Sequence, residues 1–273
     1  MTTSDRAYSG VDYEAPELDH EYGDAVHLMR DPVAWTRLAE VCSPAIGQPE
    51  FNGLIEDLYR RLLWAVVGAE FPTREAEVST RMRETTDRGV YRGTVVAPDT
   101  SVVTVDVARA GMVPSEVCYR RLSALLDEER VRQDHLFAAR QTNEEGDVVG
   151  AEVAGDKVGG PIDGGFVLIP DPMGATGSSM SEAIDFYREE VGGSADQMVA
   201  MNLIVTPEYI RRLTDEHPDV VCYAMRLDRG MSPEEIFETV PGERWSKESG
   251  LDDNDYIVPG GGGFGELMNN SWT

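Results

Sequence analysis

Nine consecutive residues constrain this chain most. An apolar run from Gly165 to Pro170 leads into Asp171-Pro172-Met173-Gly174-Ala175-Thr176-Gly177-Ser178-Ser179, and a helical pattern follows from Met180 to about Glu190. A short apolar run bounded by turn residues reads as a buried strand. The segment is therefore strand, Gly/Ser/Thr loop, helix. Backbone N–H groups at Ala175 to Ser179 can converge on one concavity, and the helix N-terminus adds positive potential. That combination suits a phosphate monoester. Gly174 and Gly177 allow close approach and unusual dihedrals. Thr176, Ser178 and Ser179 offer hydroxyls, and Asp171 can accept hydrogen bonds from ribose hydroxyls. A strand-loop-helix cap with no ligand has the same spacing, so spacing alone leaves both readings open.

The rest of the chain says what surrounds that loop. Ser101 to Val107 alternates, is rich in Val and Thr, and ends in Ala108-Arg109-Ala110-Gly111. It reads as a strand. A helix is expected from Pro114 and Ser115 to about Arg130. His135 to Ala139 reads as a short strand ending at Arg140, and Asp147 to Val153 as part of a β-excursion. Gln197 to Val205 and Val220 to Leu227 read as strands, with a helix starting at Pro207 between them. Two helical stretches come earlier. The second, about 51 to 68, places Leu54, Ile55, Leu58, Leu62 and Val66 on one face.

This alternation predicts an α/β fold: a largely parallel sheet flanked by helices, with a helical N-terminal extension. Residues 1–24 are acidic and mostly aperiodic, an arm that is either disordered or an irregular wrap. Residues 25–273 form the expected folded domain. Residues 231–255 look like an acidic loop, open to roles as a lid, a dimer contact or a salt-adapted segment. Ligands of such sheets bind at the carboxyl ends of the strands. Arg109, Arg140, Asp171 and Asp228 all fall at or just past predicted strand ends.

Charge narrows the partners. The formal net charge is −26, which repels nucleic-acid phosphates and anionic membranes. Lys157 and Lys247 are the lysines; arginine supplies the other positive charge. Either adaptation to high salt or genomic base composition explains that balance. No apolar run is long enough to span a bilayer, and the N-terminus lacks a secretory pattern. A cytoplasmic protein is expected. Cys42, Cys118 and Cys222 are widely spaced, and the four histidines do not cluster. Neither set makes a metal pattern or a nucleophilic triad.

Asp171 to Ser179 resembles the loop that binds 5-phosphoribosyl-1-pyrophosphate (PRPP) in uracil phosphoribosyltransferases. That loop typically reads Asp-Pro-Met-Leu-Ala-Thr-Gly-Gly-Ser, and seven of the nine positions agree. Further likenesses follow in the same order. Ala108-Arg109-Ala110-Gly111 resembles the family's Leu-Arg-Ala-Gly. Thr206-Pro207-Glu208 and His217-Pro218-Asp219-Val220 resemble its Pro-Glu-Gly helix and His-Pro-Asp-Val turn. Asp228 matches an aspartate after the next strand, and Tyr256-Ile257-Val258-Pro259-Gly260 its uracil-recognition segment. Leu28-Met29-Arg30-Asp31 is similar to an early family stretch.

The resemblance implies transfer of ribose 5-phosphate from PRPP to uracil or a related base. Arg109 and Arg140 would clamp the pyrophosphate, since guanidinium offers phosphate a planar fork of donors. Asp171 would hold the ribose, with Arg109 and Asp171 the catalytic pair. Pro172, Met173, Gly174, Ala175, Thr176, Gly177, Ser178 and Ser179 would complete the PRPP site. Ile257, Gly262, Gly263 and Phe264 would read the base, mainly through backbone groups. Mg²⁺ would bind through PRPP oxygens, and the protein would be a homo-oligomer.

The last loop departs from the family. Where the family reads Gly-Leu-Gly-Asp-Ala-Gly-Asp-Arg, this chain has Gly260-Gly261-Gly262-Gly263-Phe264-Gly265-Glu266-Leu267. An aspartate beside the base becomes Gly263. Two alternatives therefore stand beside uracil transfer: a transferase for another heterocyclic base, and a non-catalytic PRPP- or nucleotide-binding regulator. If the chain is a transferase, Gly263→Asp is expected to raise activity on uracil.

Overall fold

The computed structural model describes residues 5–142 and 148–272, without the side chains of 139–142 and 148–152. In chain order come β1 (Val26–Leu28), α1 (Pro32–Val41), α2 (Glu50–Glu70), β2 (Thr73–Ser79), β3 (Val90–Val96), β4 (Val102–Ala108), α3 (Met112–Ser123), β5 (Val131–Thr142) and β6 (Val148–Lys157). Then follow β7 (Ile162–Asp163), β8 (Phe166–Pro170), β9 (Met173–Gly174), α4 (Ser178–Phe186), β10 (Gly193–Ser194), β11 (Gln197–Val205), α5 (Pro207–Glu216), β12 (Val221–Leu227) and α6 (Phe264–Asn269).

The main sheet has the order β1-β12-β11-β8-β4-β5-β6, with β9 added beside β11. Its pairs are parallel except β5–β6. Helices cover both faces, as parallel strands require. On one side α1, α2 and α3 pack Leu38, Leu58, Leu62 and Cys118 against Met201 and Leu168. On the other, α4 and α5 pack Ile184, Ile210 and Leu213 against Val105, Val167 and Ala200. The fold is α/β, a largely parallel sheet flanked by helices.

The structure departs from the sequence reading in places with clear physical causes. α3 ends at Ser123, well before Arg130. β5 begins at Val131, not His135, and runs through Arg140 to Thr142. The early part of β5 hides a buried charge: Asp134 is 1% exposed. It is satisfied by Arg132 at 3.0 Å, the Gly159 N–H at 3.0 Å and the Tyr187 hydroxyl at 2.6 Å. Arg140 is inside a strand and not past its end, because the antiparallel ladder continues and pairs it with Ala151. A hairpin of β2 and β3 was not anticipated. One face carries Glu75, Glu77, Arg92 and Thr94, with Arg92 on Glu77 at 2.6 Å, and the other carries Ala76, Val78, Tyr91 and Val95, of which Val78 and Tyr91 stay exposed, so the hairpin contributes little to the core.

Two peripheral segments are tied to this frame. The Leu18 N–H donates to Leu28 O and the Arg30 N–H to Pro16 O, each at 2.8 Å, and Tyr22 is buried. Within 231–255, Glu248 is buried, accepting from Arg229 and the Gly242 N–H at 2.9 Å. Glu208 of α5 accepts from the Ser249 hydroxyl at 2.7 Å and the Gly250 N–H. That acidic stretch is therefore packed rather than loose.

Candidate active site

Asp171 follows the last residue of β8, at the carboxyl end of the sheet. Its N–H donates to Met201 O at 3.0 Å, and Asn202 Nδ2 donates to its carbonyl at 2.6 Å. The main chain is thus anchored to β11 while the carboxylate faces the cavity. Surrounding protein strips water from that carboxylate, so its pKa is pushed up to about 6 despite a bond from the Met173 N–H.

The loop then runs along β11 as β9, and the Thr206 hydroxyl donates to Ala175 O at 2.6 Å. Gly177 has φ 83°, the left-handed region that glycine enters freely, and turns the chain into α4. The first-turn amides of a helix have no partner within it. Thr176 Oγ1 and Ser178 Oγ lie 3.0 Å apart at this turn. The whole unit is docked by buried polar contacts between α4 and α5. His217 Nδ1 accepts from Arg188 at 3.0 Å, so its Nε2–H donates to the Ser181 hydroxyl at 2.6 Å. Burial lowers the pKa of His217, consistent with a neutral ring.

Arg109 comes directly after β4, and the Ala108–Arg109 peptide is cis. Gly111 turns the chain back, its N–H donating to Val107 O at 2.9 Å. A Cβ there would lie 2.7 Å from Val107 N, so only glycine fits this close return. Among its contacts, Arg109 Nη2 is 3.4 Å from Glu266 Oε1, and Nη1 donates to Ser271 O at 3.2 Å. The Arg140 side chain lies outside the described residues.

The loop from Ile257 to Glu266 is held from below by Asp228, just past the end of β12 and 2% exposed. Asp228 binds Arg226 through both oxygens, at 2.6 and 2.7 Å, and accepts from the Gly260 N–H at 2.7 Å. Arg226 also donates to Gly260 O at 3.0 Å. After the glycines α6 begins, an element the sequence reading did not foresee. The Phe264 ring is buried against Phe51 with centroids 5.1 Å apart, so its backbone rather than its ring is available at the site. A Cβ placed on Gly263 would fall onto Glu266 Oε2. The Glu266 carboxylate thus occupies the space that a side chain at position 263 would enter.

These parts meet around one cavity of about 660 Å³. Arg109, Asp171, Met173 to Ser179, Ile257 and Gly262 to Phe264 all line it. Pro172 is buried beneath the Asp171–Ser179 loop, and Asp228 sits behind the loop from Ile257 to Glu266, not in the cavity wall. Tyr209, Arg212 and Glu266 also line it. Sequence reasoning missed Tyr209 and Arg212. Their signal was faint: Tyr209 faces Gly174 and Asn202, and Arg212 faces Ser178, on a helix where the resemblance had weight only at Pro207 and Glu208.

A uracil phosphoribosyltransferase family model matches residues 28–243. The chain belongs to the uracil phosphoribosyltransferase family. A uracil phosphoribosyltransferase of Dictyoglomus turgidum is 26% identical over 243 residues, covering 89% of this chain and 98% of that protein. One from Salinibacter ruber is 30% identical over 200 residues, covering 71% and 73%. The structure of the AQ2163 protein from Aquifex aeolicus superimposes with a TM-score of 0.66 at 18% identity, over 89% of this chain and 97% of that one. That likeness shows the shared fold. Among the described residues, no helix is long and apolar enough to cross a membrane.

Proposed function

We propose that this phosphoribosyltransferase-family chain moves ribose 5-phosphate from PRPP to a ring nitrogen of uracil or a closely related base. The observation that carries this is convergence: the Asp171–Ser179 loop, Arg109 and the loop from Ile257 to Glu266 line one cavity. In this reading the 5′-phosphate sits on the Ala175–Ser179 turn at the start of α4. Asp171 accepts from the ribose hydroxyls. Arg109, with Arg140, binds the pyrophosphate through charge-assisted hydrogen bonds. The C1–O bond to pyrophosphate breaks as the C1–N bond forms, and the proton of the base nitrogen passes to the departing pyrophosphate or to water. Arg109 stabilises the negative charge gathering on the leaving oxygen.

Among the described residues, no three His, Cys, Asp or Glu side chains gather into a metal cage. Asp171 is nevertheless the kind of oxygen donor that Mg²⁺ accepts beside substrate phosphates. An ion held chiefly by PRPP fits these residues, and when bound it neutralises charge on the pyrophosphate. A homo-oligomer belongs to the same reading and is measurable by sedimentation.

The base is the open part. Gly263 with Glu266 above it favours, as a second reading, a transferase for a different heterocycle. Incubation with PRPP, Mg²⁺ and a panel of bases, at low and high salt, tests both. UMP with stoichiometric pyrophosphate supports uracil. Turnover with another base alone replaces uracil. PRPP binding without turnover on any base overturns catalysis and leaves a PRPP-binding regulator.

A further inference from the structure

α5 presents two large side chains to the phosphate loop, and one is a cation. Arg212 donates through Nη1 to the hydroxyl of Ser178, the first residue of α4. Its stem lies along Gly177: a Cβ on that glycine would be 3.2 Å from Arg212 Cδ. The guanidinium lines the same cavity as Thr176 to Ser179 and is about one-third exposed. Its acidic neighbour on α5, Glu216, is 3.6 Å from Nε, and the other Glu216 oxygen accepts from the Ser181 hydroxyl. Arg212 therefore reaches the loop with its Nη1 end.

We infer that Arg212 is a direct ligand of the substrate's 5′-phosphate. The inference rests on the proposed function. A phosphate monoester on the Thr176–Ser178 turn meets the hydroxyl that Arg212 already holds, so Nη1 is within one hydrogen-bond step of a phosphate oxygen. Guanidinium is suited to that contact because it stays charged and offers parallel donors. Ser178 stands where the resembled loop has glycine. The hydroxyl and the arginine together form a side-chain wall on a subsite otherwise built from backbone.

The test uses the full-length protein and four forms: wild type, Arg212→Ala, Arg212→Lys and Arg212→Gln. Steady-state kinetics give kcat and the KM for PRPP. Calorimetry with ribose 5-phosphate and, separately, pyrophosphate locates the loss. Arg212→Ala is expected to raise the KM for PRPP and the Kd for ribose 5-phosphate by roughly ten- to hundredfold, the weight of a hydrogen bond to a charged group. Pyrophosphate affinity and kcat at saturation should stay near wild type. Lys should restore part of the loss. Gln, which can still bond Ser178 but carries no charge, should not.

Rescue by Gln and not by Lys would overturn the inference, because Arg212 would then only brace the loop. Unchanged ribose 5-phosphate affinity in Arg212→Ala, with wild type binding normally, would also overturn it while leaving the proposed function intact. Failure of wild type to bind either PRPP or ribose 5-phosphate would overturn both.

Discussion

The ring of Tyr209 occupies the space that a side chain at position 174 would need. A Cβ on Gly174 would lie 2.9 Å from Tyr209 Cδ2. The resembled loop carries leucine at 174, and the resembled helix carries glycine after Pro-Glu. Here the large and small residues have exchanged sides of the contact between β9 and α5. Gly174→Leu should cost about 1–3 kcal/mol through overpacking. Tyr209→Gly should cost about 3–5 kcal/mol, since it opens a cavity. It also removes the hydroxyl bond to Asn202 at 2.8 Å. The double exchange restores the volume, so its cost should fall short of the sum by at least about 1 kcal/mol. Urea denaturation of the four proteins measures this, and strict additivity would mean that the two positions do not share one space.

That exchange also shows what the sequence could and could not say. β8, β11 and β12 were legible because they are apolar on both faces and bounded by turn residues. The Asp171–Ser179 loop was legible because its chemistry is contiguous. Tyr209 and Arg212 were not, because their meaning lies in which face of α5 meets the Asp171–Ser179 loop. The β2–β3 hairpin was hidden because its apolar face, with Val78 and Tyr91, stays exposed and is interrupted by Arg74 and Gly93, and the start of β5 was hidden by Asp134, whose partners at Gly159 and Tyr187 are distant in sequence. Glu266 looked like the remnant of a motif. Only the fold of α6 puts its carboxylate over Gly263.

Asp171 gives a pH signature. Its pKa in the folded chain, about 6, exceeds the ordinary 3.8. The native state therefore binds more protons than the unfolded one between those values, and stability is lost as pH rises through about 6. At pH 7.5 the ionised carboxylate carries its full burial cost. Asp171→Asn should therefore raise the melting temperature at pH 7.5 and change it little near pH 4. The same group should make PRPP affinity fall as pH drops through about 6, since a protonated acid accepts ribose hydroxyls poorly. Calorimetry from pH 5 to 8 checks this. In Asp171→Asn, binding should be weak and this pH step absent. A variant as pH-dependent as wild type would assign the step elsewhere.

Glu266 changes what is expected of position 263. An aspartate there would be built onto the Glu266 carboxylate. Two like charges at that distance repel, so Gly263→Asp alone should lower activity, not raise it. Glu266→Gly should lower kcat/KM about tenfold or more, the scale of one charged contact. Gly263→Asp/Glu266→Gly should recover part of that loss. Steady-state rates on the best base decide the matter. A gain from Gly263→Asp with Glu266 in place would show that the two carboxylates do not compete for one position.

Asp228 should act on the base loop from behind. It is almost fully buried, accepts both Arg226 donors, and holds the Gly260 N–H at 2.7 Å. Asp228→Ala strands a part-buried guanidinium and an amide, so the stability loss should be large, about 3–5 kcal/mol. Asp228→Asn keeps an acceptor for Gly260 while weakening the hold on Arg226, and should cost less. Function separates this role from plain destabilisation. Gly260 opens the loop that reaches Gly262 and Gly263, whereas the Asp171–Ser179 loop is anchored elsewhere, on β11 through Met201 and Asn202 and on Thr206 at the start of α5. In Asp228→Asn, measured well below its melting temperature, KM for the base should rise several-fold while KM for PRPP stays near wild type. Equal increases in both constants would mean that the Asp228–Arg226 pair supports the fold as a whole and does not position the base loop.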